Sequence, residues 1–185
     1  MPETIILALL YAKLKGNNIK EIFYSWTVYP LVIFEIVTLI GQAISFAGGY
    51  HGVIEMINKL TSVYLICYLF LILKYELYLP AIVGSVFVIL GGKLNDIAIS
   101  ANGGFMPVYQ SLSYLTGRVT LEEYKMINDI HILANAETKM KFLTDFVDLG
   151  YTILSVGDLC IRVFVFLVIY SAIKKINDRR RQEVC

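Results

Sequence analysis

Apolar runs of bilayer-crossing length, punctuated by single charges, constrain this chain more than anything else in it. Trp26–Ala47, Ile54–Leu73, Tyr78–Ala101 and Val156–Ile173 each approach the roughly 20 residues a helix needs to cross hydrocarbon. A shorter run, Glu3–Leu14, fits either a short span or an interfacial helix. The chain is 57% apolar and 17% charged, against about 45–50% and 25% in soluble domains. Mean hydropathy is +0.67. A soluble fold of 185 residues has no interior large enough for so much apolar sequence. The expectation is an all-α, polytopic membrane bundle: a single membrane domain over residues 1–185, with about five membrane helices and extracytoplasmic amphipathic helices.

Charge placement orients the bundle. Lys174, Lys175 and Arg179-Arg180-Arg181 follow the last span, and basic residues just past a span mark the cytoplasmic side. Counting back puts the Lys74–Glu76 turn inside, the Gly48–His51 loop outside and the basic Lys13–Lys20 loop inside. The polar segment 102–154 falls outside, and its four basic and six acidic residues agree with that side. Only Pro2 and Glu3 precede the first apolar run, so a cleavable signal peptide is not expected. The reading is a multi-pass protein of the bacterial cytoplasmic (inner) membrane with a cytoplasmic C-terminus.

Polar groups inside the spans are the candidate site. Lys93, Asn95 and Asp96 lie on the helix that ends at Ala101, and Asp158 and Arg162 on the last one. Lys93 with Asp96, and Asp158 with Arg162, have spacings that allow ion pairs within a helix. Ionisable groups at such depth are costly and are functional by default; the alternative is mutual neutralisation that holds the helices in register. Asn102 and Asp145 stand at the membrane edge. Gly103 and Gly104 supply backbone that reaches positive φ freely, as a helix C-cap or as a re-entrant loop facing a ligand. Pro107 fits the start of a helix running to Leu115. Thr120-Leu121-Glu122-Glu123 reads as a capping box. The helix it opens would align Leu121, Tyr124, Ile127, Ile130 and Leu133 on one face.

Several chemistries find no pattern. Cys67, Cys160 and Cys185 form no CxxC pair. His51 and His131 share no metal-type spacing, so no metal site is expected, and the cofactor is unknown. No GxSxG, HExxH or Walker motif occurs. A net charge of +1 gives no global field for nucleic acid.

From Leu90 onward, three elements resemble a bacterial membrane-protein family, domain-of-unknown-function family 5317. They are Gly91–Asn95 leading to Asn102-Gly103-Gly104-Phe105-Met106-Pro107-Val108, then Thr138 with Phe142-Leu143-Thr144-Asp145, then Ser155-Val156-Gly157-Asp158. They cover about half the chain; the N-terminal half is similar in hydropathy alone. The resemblance implies a multi-helix bundle of bacterial origin and brings no activity, substrate or cofactor. It implies a shared site of Asn95, Asn102, Asp145 and Asp158. Phe105 replaces the family's usual arginine, and Lys93, Asp96 and Arg162 are additions of this chain.

The leading functional expectation is an outward-facing polar site for a small polar molecule, ion or lipid headgroup. It is built from Asn95, Asn102, Gly103, Gly104, Asp145 and Asp158, with Lys93, Asp96 and Arg162 balancing charge. The alternatives are a membrane-embedded enzyme using Asp145 and Asp158 as acid–base or metal groups, and a ligand-free scaffold. Expected partners are the lipid bilayer, a small polar ligand, and a second copy or partner protein.

Overall fold

The computed structural model describes residues 1–48, 61–115, 130–150 and 152–184, most of them helical. In chain order the helices are α1 (Pro2–Leu14), α2 (Lys20–Phe23), α3 (Tyr29–Gly48), α4 (Thr61–Cys67), α5 (Leu69–Tyr75), α6 (Tyr78–Ala101), α7 (Leu112–Leu115) and α8 (Val156–Val184). Short strands β1 (Met106–Val108), β2 (His131–Leu133), β3 (Val147–Asp148) and β4 (Ile153–Leu154) lie between α6 and α8. Among the described residues two helices are long and apolar enough to cross a membrane, Tyr78–Ala101 and the Val156–Gln182 part of α8. The five spans expected are therefore not all present as long helices. The run expected at 54–73 is, from Thr61 on, two short helices divided at Tyr68. Its start, and the Gly48–His51 loop beyond Gly48, lie outside the described residues. The last helix does not stop at Ile173; it carries the basic residues with it to Val184.

The polar segment departs most from expectation. Met106-Pro107-Val108 is a strand, not a proline-initiated helix. Its partner, His131-Ile132-Leu133, was expected to end an amphipathic helix. Local cues lose here because the pairing connects segments distant in sequence, and tertiary context overrides propensity. The capping box at Thr120 and the residues Leu121, Tyr124 and Ile127 lie outside the described residues.

The chain divides into two compact units. The first comprises Met1–Ser85 and Arg162–Cys185. Its core gathers Ala8 and Ala12 of α1, Leu71 of α5, and Val165, Val168, Ala172 and Ile173 of α8, all fully buried. Small residues on α1 let it approach α8 closely, since short side chains allow helix backbones to come near each other. Tyr68 sits edge-on to Phe164 at 5.6 Å. Glu76 closes α5 in the left-handed region at φ 56°, and the N–H of Leu77 returns to the carbonyl of Ile72. Asn177 accepts from the N–H of Asn18 at 2.8 Å and donates to the carbonyl of the same residue at 3.1 Å. This ties the turn after α1 to α8.

The second unit, Val86–Ile161, holds all four strands. β1 pairs with β2 in parallel, matching Met106 to His131 and Val108 to Leu133. On its other side β1 is bridged by Asp145, opposite Val108. β3 and β4 form an antiparallel pair. Met106 packs into a small core with Ala98 and Leu143, against Leu94, Ile99 and Val156.

In the first unit, a Cβ on Gly84 would lie 2.8 Å from Phe164 Cδ2 and 2.9 Å from its Cα. Gly84→Ala should therefore lower stability by about 1–3 kcal/mol through overpacking, measured as a lower midpoint of thermal unfolding. An unchanged midpoint would mean that the two helices are not this close.

Candidate functional site

Five residues of α6 and the start of α8 interlock. A Cβ on either Gly91 or Gly157 would come closer than 3.0 Å to the carbonyl oxygen of the other. Only glycine permits that approach. Ser155 is the N-cap of α8: its Oγ accepts from the N–H of Asp158 at 2.9 Å, while Asp158 Oδ2 accepts from the N–H of Ser155 at 3.1 Å. This is a reciprocal capping box, with aspartate in the third position. Asn95 reaches across from α6. Its Nδ2 donates to Asp158 Oδ1 at 3.1 Å, and its Oδ1 accepts from Ser155 Oγ at 2.7 Å. Both oxygens of Asp158 thus have partners within the protein.

Asn102-Gly103-Gly104 ends α6. Gly103 and Gly104 have φ of 69° and 93°, and the N–H of Gly104 donates to the carbonyl of Ile99 at 2.9 Å. That is the glycine C-cap arrangement. Asn102 makes a second connection: its Nδ2 donates to the carbonyls of Ala98 (2.8 Å) and Lys139 (3.0 Å), and its Oδ1 accepts from the N–H of Lys139 at 2.9 Å. The side chain acts as a strand-like partner for Lys139 and fastens the turn after β2 to the end of α6. Between them is a cleft of about 270 Å³. Asn102, Gly103, Pro107, Glu137, Thr138 and Lys139 contribute to its walls.

Asp145 lies on the other face of β1. As the bridge partner of Val108 it shares the side on which Met106 and His131 pair, since strand side chains alternate. Its carboxylate is buried, at 4% exposure. Oδ2 is 3.4 Å from His131 Nε2, and Oδ1 has no hydrogen-bond partner among the described residues. Burial raises its pKa, His131 pulls it back and the Asp158 carboxylate pushes it up again, leaving about 7. Tyr109 and Gln110, the next two residues after β1, also carry buried polar atoms without partners among the described residues, the hydroxyl and Nε2. Buried polar atoms are normally satisfied, and exceptions point to a water, an ion or a functional demand.

The expected charge-balancing residues do not join this group. Arg162 is buried but bonds to Glu3 and Thr4 of α1, not to Asp158. Lys93 and Asp96 are both exposed, with no ion pair between them among the described residues. No metal-ligand cluster of three or more His, Cys, Asp or Glu occurs among the described residues. His131 is half-buried beside Asp145.

Asp148 was not singled out by the sequence. Its Oδ2 accepts from the N–H groups of Ser111 and Ser113, at 2.8 and 2.9 Å, and from Ser113 Oγ at 2.7 Å; Oδ1 accepts from the N–H of Gly150 at 2.8 Å. Burial alone would raise its pKa, but these donors outweigh it and hold it at about 2. The signal in sequence was the Asp-x-Gly turn at 148–150, where aspartate binds the N–H two residues on.

The two carboxylates should respond to pH in opposite ways. The folded chain holds the Asp145 proton between pH 3.8 and about 7, where the unfolded chain releases it, so this group costs stability as pH rises through that window. Asp145→Asn should flatten that slope. Asp148, depressed from 3.8 to about 2, contributes stability above pH 3.8 that is lost as pH falls toward 2. Asp148→Ala should cost about 2–4 kcal/mol at neutral pH, since it strands several donors at once. Chemical denaturation of each variant across pH 3–8 checks both signs.

The chain belongs to the Family of unknown function (DUF5317), whose model matches residues 19–170. No curated protein and no solved structure matches it.

Proposed function

We propose that this member of the family is a multi-pass protein of the bacterial inner membrane, its C-terminus cytoplasmic, whose outward-facing polar segment binds a small polar molecule, ion or lipid headgroup. The membrane reading draws support from α6. Leu79, Ile82 and Ile89 are 72%, 64% and 60% exposed, although the helix is long and apolar enough to cross a membrane. Exposed apolar helix faces of this length suit a hydrocarbon surround. In this reading five helical segments cross or enter the bilayer, including the shorter apolar helices at Trp26–Gly41 and Tyr64–Tyr75.

The binding reading rests on one observation, the buried Oδ1 of Asp145 without a partner among the described residues. Such an atom carries a desolvation cost that a ligand donor or cation removes. Tyr109 and Gln110 offer further unsatisfied polar atoms close by in the chain. Asn95, Asp158 and Asn102 then support the site as scaffold, since their own polar atoms are engaged within the protein. The enzyme alternative draws less support, because Asp158 is held in the capping box. A ligand-free scaffold leaves the state of Asp145 unexplained.

The test is thermal unfolding of the detergent-purified chain at pH 8 with sodium, potassium, calcium, ethanolamine or glycerol 3-phosphate in turn. At 100 times its dissociation constant, a ligand of the folded state adds about 2.7 kcal/mol, a shift of several degrees. At least one probe should raise the midpoint of the wild type and leave Asp145→Asn unmoved. Shifts of equal size in both proteins, or none with any probe, would remove the site.

A further inference from the structure

The cleft at the end of α6 is a separate place from Asp145, on the opposite face of β1. Pro107 and Ile132 line it, while Met106, Val108 and His131 face the other way by strand alternation. Three observations at this cleft converge. First, its walls include Ala101, Asn102 and Gly103, the last residue of α6 and the two that follow. If α6 crosses the bilayer, as proposed above, the cleft stands at the depth of the lipid headgroups.

Second, the cleft contains one charge of each sign. Glu137 and Lys139 both line it. Both are exposed, and neither forms an ion pair among the described residues. The remaining polar side chains are engaged: Asn102 holds Lys139, while Thr138 Oγ1 accepts from the N–H of Asn135 at 2.9 Å. The unassigned valences are thus one ammonium and one carboxylate, set two residues apart on one turn.

Third, the chain on either side of these walls exposes large apolar side chains. Phe105, Met140 and Phe142 are exposed large hydrophobic residues on the two turns that Asn102 joins. Phe142 is 68% exposed. Lys139 and Lys141 alternate with them. Aromatic and aliphatic side chains interleaved with lysines suit the boundary between acyl chains and headgroups, where the apolar parts enter lipid and the ammonium groups meet phosphate.

We propose that this cleft holds the headgroup of a zwitterionic phospholipid, with the phosphodiester against Lys139, a primary ammonium against Glu137, and Phe105 and Phe142 among the acyl chains. The charges match pairwise, so the site discriminates against lipids with anionic headgroups that lack the ammonium. The proposal rests on the membrane reading but not on the Asp145 site. It involves no bond making or breaking.

The test is native mass spectrometry of the full chain in a maltoside detergent, equilibrated with equal amounts of phosphatidylethanolamine and phosphatidylglycerol. The wild type should retain the ethanolamine lipid about fivefold over the glycerol lipid, the size expected of one matched surface charge. Glu137→Gln should abolish the preference, and Lys139→Ala should reduce retention of both lipids by about fivefold. Both side chains are exposed, and the backbone of Lys139 keeps its bonds to Asn102 in either variant, so the fold is spared. Asp145→Asn should leave retention unchanged.

Equal retention of both lipids by the wild type and both variants would overturn the assignment. So would soluble phosphoethanolamine binding as tightly as the lipid while Phe105→Ser and Phe142→Ser change nothing, since the cleft would then be a site for a free phosphate compound. A chain that alkaline carbonate strips from membranes would refute the membrane reading itself, and the headgroup assignment with it.

Discussion

The contact between Gly91 and Gly157 is the constraint on which the second unit depends. Two helices meet there backbone to backbone, and the absence of side chains makes room for Asn95 to reach Ser155 and Asp158. A single cluster thereby does three jobs: it starts α8, satisfies an aspartate at the helix N-terminus where a negative charge is favoured, and sets the register of α8 against α6. Capping interactions of this kind are worth about 0.5–2 kcal/mol each. Here two such bonds start α8, and two more from Asn95 cross a helix pair whose spacing no larger residue allows. The strands then attach to the ends of the two helices, at Met106 after α6 and at Ile153 before α8.

The three sequence elements singled out from Leu90 onward therefore divide in role. Asn102 and the two glycines finish a helix and hold a distant turn; Ser155, Gly157 and Asp158 begin a helix and seal a helix pair. These are architectural tasks that need specific polar side chains. Asp145 is different. Its backbone is bound on both sides to β1, yet its carboxylate is left incompletely paired in a buried position. A residue whose main chain is tightly placed and whose side chain is unsatisfied fits the behaviour of a binding group, because rigidity and readiness to accept a donor come together.

Much of this could be read from sequence where the physics was local. The length of α6 and a glycine cap at its end follow from hydropathy and capping chemistry within a few residues. What escaped was long-range. Asp148 binds Ser111 and Ser113, 37 and 35 residues away, and Arg162 binds Glu3 at a separation of 159. An i,i+4 spacing to Asp158 favoured a pairing that the folded chain does not make, because Asp158 was already engaged by Asn95 and Ser155. Pro107 reads as a helix starter in isolation; only the presence of His131–Leu133 alongside turns Met106–Val108 into a strand.

That proline has a further consequence. β1 lies between two partners, and its bonds alternate sides: Met106 and Val108 address β2, while Pro107 offers its carbonyl to the N–H of Asp145 at 3.1 Å and the N–H of Tyr109 reaches back to the Asp145 carbonyl. Pro107 has no N–H to give. Sliding the ladder by one residue would bring this donorless nitrogen to the β2 side, where a main-chain donor is required. The imino acid thus works as a key cut for one alignment, and that alignment is what turns the imidazole of residue 131 toward the carboxylate of residue 145.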